Sequence, residues 1–168
     1  MVVQVAWDVL ATPIGPLTIG ASERGLVKVS FGGRLEELLG RLPLAAVDRP
    51  GWLDPARTQL GEYFAGRRRE FDLPLDWGLI GGFARDVLGT LFRTVGYGQV
   101  VTYQGLADRV GQPGAARAVG AAMGANPIPV VVPCHRVLAA EGLGGFGGGL
   151  ETKRRLLELE GVLPVALF

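Results

Sequence analysis

The one cysteine and the one histidine of this 168-residue chain are neighbours, Cys134 and His135. They stand in Asn126-Pro-Ile-Pro-Val-Val-Val-Pro-Cys-His-Arg-Val137, where the apolar, β-like run Ile128 to Val132 leads into the pair. A thiolate rather than a thiol is the nucleophile, and a neighbouring imidazole is a common means of making one. Cys134 reads as a candidate nucleophile and His135 as its base. Adjacent side chains need not touch, so a bridging water or a turned backbone has to connect them. A small buried hydrophobe is the alternative reading of a free cysteine. A relay of this kind is completed by a carboxylate that holds the imidazole. Glu160 in Leu156-Leu-Glu-Leu-Glu-Gly161 is the candidate, ranked little above Glu158.

The elements that must position these groups fall into two parts, residues 1–80 and 81–168, divided near Gly81-Gly82. In the first, residues 2–9 and 17–31 alternate as strands do, with turns at Pro13-Ile-Gly-Pro16 and Glu23-Arg-Gly25. This predicts a small antiparallel meander. Arg34 to Leu42 is a short helical candidate. Asp54 as N-cap and Pro55 at the first helical position open a better one, with Leu60 and Phe64 four apart and Gly66 as the stop. Arg67-Arg-Arg69 then reads as a solvated turn or a phosphate-facing patch, and Phe71 to Trp77 as extended chain.

In the second part Phe83, Val87, Leu88, Leu91, Phe92 and Val95 recur at three- and four-residue intervals, predicting an amphipathic core helix that ends at Gly96. Thr102 caps a helix from Tyr103 to about Val110, Gly111-Gln-Pro-Gly114 turns the chain, and Ala115 to Ala125 forms the next helix. Helix, short turn and helix outline a helix-turn-helix. Small residues dominate its second helix, which suits close backbone approach better than reading base edges with long polar groups. Tight core packing would also favour them. Gly142 to Gly147 satisfies G-x-G-x-x-G, but no strand follows within a βαβ unit, so a dinucleotide site is rejected. A glycine loop that admits close approach of a ligand, then a helix from Leu150 to Glu160 ended by Gly161, complete the pattern.

Composition narrows the classes. The apolar residues come in short runs, far below the roughly 20 a membrane helix needs. The N-terminus lacks a basic segment followed by a long apolar one, so cytoplasmic residence is expected. One cysteine permits no intrachain disulfide, and one cysteine with one histidine cannot fill a tetrahedral zinc shell. No cofactor is implied. The net charge of +1 does not announce a nucleic-acid binder, although fifteen of the seventeen basic residues are arginine.

The stretch from Asn126 to Val137 closely resembles the signature of the O6-alkylguanine-DNA alkyltransferases, also called methylated-DNA-protein-cysteine methyltransferases. The resemblance runs from about Phe83 to Val162, with weaker echoes in Thr12-Pro-Ile-Gly-Pro-Leu17 and Glu62-Tyr-Phe-Ala-Gly-Arg67. It implies an α+β protein: a small N-terminal antiparallel sheet with helix, ribonuclease-H-like, then a mainly helical winged-helix-like domain carrying the helix-turn-helix. It implies DNA repair by direct reversal, in which Cys134 takes the alkyl group from O6-alkylguanine, and from O4-alkylthymine, in one irreversible turnover. His135 acts through water as the base, Glu160 orients it, and Asn126 braces the active-site loop. The base is flipped out through the minor groove. Arg117 fills the gap, with Thr102, Ala115, Ala116 and Gly120 at the DNA, and Tyr103 crowds the target phosphate and bonds the base. Backbone groups of Cys134, Val137 and Gly147 are implied at the guanine edges, with Phe146 as the aromatic wall of the pocket and Arg136 also placed there. Phe146 stands where relatives often carry tyrosine, and Gly147 where they carry serine or alanine. Double-stranded DNA is the implied partner of a monomer that needs no partner protein. Two other readings predict different behaviour: a lesion-binding relative without chemistry, which would lack the cysteine, and a Cys-His hydrolase or redox enzyme, which would turn over on esters or peroxides.

Overall fold

Alternating apolar positions produce three antiparallel strands, β1 (Val3–Leu10), β2 (Leu17–Ser22) and β3 (Gly25–Phe31), paired Ala6 with Ala21 and Leu17 with Phe31. The computed structural model describes residues 2–32, 35–41 and 44–165. Within it the chain divides into two units, Met1–Leu79 and Ile80–Phe168.

The sheet of the first unit is mixed rather than wholly antiparallel. After α1 (Leu35–Arg41) a three-residue strand, β4 (Leu44–Ala46), lies parallel to β1 and gives the order β3-β2-β1-β4. Three residues are too few to carry a periodicity, which hid this strand in the sequence. The ends of the expected Arg34–Leu42 helix lie outside the described residues. All six residues of β2 are buried, as befits a central strand covered on both faces. Gly20 is required there, because a Cβ would come within 2.7 Å of the Trp7 ring. Helix α2 (Asp54–Phe64) buries Ala56, Leu60 and Tyr63. Its N-cap is Leu53, one residue earlier than expected, so Asp54 sits in the first turn, where its charge faces the helix dipole favourably. Residues 71–77 are extended: Leu26 donates to the Pro74 carbonyl and Asp76 to that of Leu26, and Ser22 Oγ donates to Asp76 Oδ2 at 2.5 Å.

The second unit is mainly helical. Helix α3 (Gly82–Thr94) buries Val87, Leu88 and Leu91 and packs against the pair α4 (Tyr103–Arg109) and α5 (Ala116–Gly124). Thr102 Oγ1 caps α4 by accepting the Gly105 amide, and Gln104 Nε2 donates to the Pro113 carbonyl across the turn, fixing a helix-turn-helix. Beyond α5 the run Ile128–Val132 is a buried compact turn rather than a strand, closed by Val132 N–H on the Ile128 carbonyl. Val130 there has φ +75°, a strained value for a β-branched residue. A two-stranded parallel ladder of β5 (Val101–Thr102) and β6 (Val137–Leu138) ties the start of α4 to the chain leaving His135 and Arg136. Helix α6 (Leu150–Leu159) closes the unit on Leu156 and Leu157. No helix among the described residues is long and apolar enough to cross a membrane.

Candidate functional site

Cys134, His135 and Arg136 form one short 3-10 turn. At about three residues per turn, successive side chains leave in different directions. Cys134 faces a cavity of about 180 Å³ lined by Tyr103, Gly120, Met123, Gly124, Gly145, Phe146 and Gly147. Two loops and two helices meet here because the β5–β6 ladder sets Tyr103, first residue of α4, opposite the cysteine turn. The glycine loop closes the other side. Gly144 has φ +74°, and a Cβ on it would lie 2.9 Å from the Tyr103 hydroxyl, so only glycine lets this backbone pass so near the ring.

Burial dominates the chemistry of the thiol. Cys134 is 7% exposed, and desolvation pushes its pKa from 9.0 up to about 11, against smaller opposing effects of the Asn126 side chain and the Lys153 charge. At neutral pH it is a thiol. A nucleophile therefore forms only if something takes its proton during the reaction.

His135 supplies an acceptor. It is fully buried, and its Nε2 lies 2.8 Å from Glu160 Oε2. Burial would raise the Glu160 carboxyl, but the bonds from His135 and Arg136 outweigh it and hold the pKa at about 2. An ionised carboxylate only accepts, so the imidazole proton is on Nε2 and Nδ1 carries the lone pair. Nδ1 has no hydrogen-bond partner among the described residues. Burial keeps the His135 pKa below 6.5; Glu160 pulls it up, and the Arg136 and Lys153 charges push it down. Neutral imidazole is thus its form at pH 7.

Glu160 rather than Glu158 meets the histidine. It is the C-cap of α6 and 4% exposed, whereas Glu158 faces Arg154 at 3.8 Å. Asn126 stitches the loop: its Nδ2 donates to the Val132 carbonyl at 2.9 Å and its Oδ1 accepts the Ile128 amide at 3.0 Å. Tyr103, Phe146, Gly147 and Gly120 all line the cavity. Arg117 is exposed on α5, Thr102 is exposed, and Ala115 and Ala116 are partly so.

Of the expected pocket residues, Arg136 points elsewhere, and the side chain of Val137 lies in the core. Val137 is fully buried, its carbonyl accepting from Lys153 Nζ at 2.7 Å. Arg136 turns away from the cavity to Glu160 and to the Val95 carbonyl, because a guanidinium at 6% exposure needs a counter-charge that the apolar pocket cannot give. Sequence reasoning missed Lys153 and Met123. Lys153 is fully buried in α6 and donates to the carbonyls of Gly145, which lines the cavity, and Val137, which follows the cysteine turn. Its signal was faint: one of two lysines kept in a chain that otherwise uses arginine. Among the described residues no group of three His, Cys, Asp or Glu side chains converges as a metal site would require.

Comparison with known proteins agrees with this geometry. Residues 82–162 match the family described as 6-O-methylguanine DNA methyltransferase, DNA binding domain, and residues 5–77 match its ribonuclease-like domain. The methylated-DNA–protein-cysteine methyltransferase of Mycobacterium tuberculosis is 41% identical over 157 residues, covering 93% of this chain and 92% of its own. That of Sulfolobus acidocaldarius is 36% identical, covering 97% of each chain. Among solved structures, Mycobacterium tuberculosis OGT in complex with DNA superposes with a TM-score of 0.78 at 43% identity, covering 94% of this chain and 92% of that one. The O6-methylguanine-DNA methyltransferase of Pyrococcus kodakaraensis gives 0.67 at 28% identity, covering 94% and 99%.

Proposed function

The chain belongs to the 6-O-methylguanine DNA methyltransferase family, repairing DNA by moving an alkyl group onto a cysteine of its own, and from that premise we propose that Cys134 is the acceptor and O6-alkylguanine in duplex DNA the substrate. The observation that carries this reading is the sole cysteine, buried at a cavity bounded by Tyr103 and Phe146 and backed by the 2.8 Å bond between His135 and Glu160.

The reaction follows from the protonation states. The thiol proton passes through a bridging water to His135 Nδ1, the lone-pair nitrogen, while Nε2–H stays on Glu160. As sulfur attacks the alkyl carbon, the S–C bond forms and the C–O6 bond breaks, its electron pair moving into the guanine. Tyr103 donates a proton to the base, which leaves neutral, and the proton held by His135 restores the balance. The thioether is stable, so each protein reacts once.

A guanine within the duplex cannot reach a buried thiol, so it is flipped out at a cost of a few kcal/mol. Arg117, exposed on α5, fills the vacated stack, and the small residues Ala115, Ala116 and Gly120 permit close approach to the minor groove. O4-alkylthymine is a second substrate. The protein works as a cytoplasmic monomer, since one lesion consumes one thiol.

The test is to mix the protein with a duplex containing one O6-methylguanine and measure intact mass and peptides. A gain of one methyl group on Cys134, saturating at one per protein, is expected. Lesion binding with no mass change would leave a recognition protein, and turnover on esters without labelling would leave a Cys-His hydrolase; either result overturns the proposal.

A further inference from the structure

Glu160 receives more donors than a histidine-orienting carboxylate requires. Oε1 accepts from Arg136 Nε at 2.8 Å, and Oε2 accepts from Arg136 Nη2 at 3.0 Å as well as from His135 Nε2 at 2.8 Å. The remaining arm of the guanidinium, Nη1, donates to the Val95 carbonyl at 2.8 Å, just past the end of α3. Two parallel bonds from a planar fork fix the plane of the carboxylate as well as its position. The anchor on Val95 fixes the fork in turn.

We propose that Arg136 is a positioning residue of the transfer reaction, holding Glu160 ionised and in the one orientation that keeps the His135 proton on Nε2 and the lone pair on Nδ1. The inference rests on the reading of His135 as the base. It goes beyond that reading by extending the relay to a fourth member that touches neither thiol nor substrate.

The charges around His135 explain why a fourth member is needed. From its own turn it faces Arg136 and the neutral Cys134 thiol; from α6 it faces Glu160 and Lys153. The Val95 carbonyl, just after α3, is bonded to Arg136. Without Arg136 the buried carboxylate loses both bonds of the guanidinium fork, and breaking a buried ion pair is costly. Two neutralisations are open to it. His135 takes up a proton and becomes an imidazolium, or Glu160 takes one up and donates it to Nε2, moving the imidazole proton to Nδ1. Each removes the lone pair from Nδ1, and the base is lost either way. Lysine at this position would restore the charge but not the fork.

His135 is the one histidine in the chain, so its ring nitrogens give an unambiguous signal in nitrogen-15 NMR. The experiment titrates His135 in the wild-type protein, Arg136→Met and Arg136→Lys, and measures single-turnover methyl transfer across the same pH range. Folding is checked by thermal melting. The wild-type ring is expected neutral at pH 7 with the proton on Nε2. Arg136→Met is expected either to shift protonation upward by about one unit or more, or to move the proton to Nδ1. Each unit of upward shift costs about tenfold in neutral imidazole at a pH below it. Methyl transfer falls with it, and a loss caused by protonation is recovered at higher pH. Arg136→Lys gives intermediate values in both readouts, and it decides the matter if Arg136→Met does not fold. A folded variant that keeps the wild-type tautomer and titration, or loses transfer equally at every pH, overturns the proposal. The NMR readout needs no lesion, so it stands even if the wild-type protein proves not to label Cys134.

Discussion

The two units treat charge in opposite ways. In Met1–Leu79 the ion pairs lie at the surface: Asp8 meets Arg57 with side chains 39% and 35% exposed, and Arg68 meets Glu62 with both partly exposed. Its interior is Leu17, Ile19, Val27, Val29, Leu60 and Tyr63. In Ile80–Phe168 a thiol, an imidazole, a guanidinium, an ammonium and a carboxylate are all buried, at Cys134, His135, Arg136, Lys153 and Glu160. Buried ion pairs are poor stabilisers, and well-packed apolar residues often do as well or better. A unit that keeps five ionisable groups inside sacrifices stability for chemistry. Among the described residues of the first unit Asp76 is the one buried charged side chain, its bond from Ser22 tying the last segment to the hairpin, and packing holds the rest.

Substitutions can break or sharpen this contrast. Glu160→Gln leaves the Arg136 guanidinium buried without its counter-charge and should cost about 3–5 kcal/mol in chemical denaturation, the largest loss expected. Arg117→Ala, at the exposed face of the same unit, should leave stability unchanged. It should slow repair in duplex DNA by about 10- to 100-fold, since extrusion costs a few kcal/mol. Reaction with free O6-benzylguanine, which needs no extrusion, should hardly change; equal losses on both would remove Arg117 from that role. Lys153→Met strands two carbonyls, Val137 and Gly145, and should cost about 1–3 kcal/mol in a thermal melt while slowing transfer on both substrates. Asp8→Asn, removing one half of the exposed pair in the first unit, should cost under about 1 kcal/mol. A loss as large as that of Glu160→Gln would erase the contrast.

Much of this was legible in the sequence, and the reasons for the rest are physical. The strands β1 to β3, helix α3 and the helix-turn-helix announced themselves through periodicity and caps. Cys134, His135 and Asn126 stood out because their types and order carry local information. Glu160 could not be separated from Glu158 without knowing the phase of α6, which its packing on Leu156 and Leu157 sets. Arg136 was placed at the guanine through the resemblance, whereas the tight turn sends its side chain to Glu160 at the end of α6. Lys153 lies sixteen residues beyond Val137, and only the fold brings its ammonium to that carbonyl. The turn at Ile128–Val132 reads as a strand by composition, yet Val130 adopts the left-handed backbone that composition argues against.

The account turns on a thiol that stays protonated until a neutral His135 takes its proton, and the pH dependence of single-turnover methyl transfer from duplex DNA tests it most directly. With Cys134 raised to about 11 and His135 lowered from 6.5, the rate should be level from neutral pH upward and should fall only below pH 6.5, as His135 becomes protonated. A rate that instead climbs about tenfold per unit from neutral pH toward 11 would mean that solvent, not His135, removes the proton, and would contradict the account.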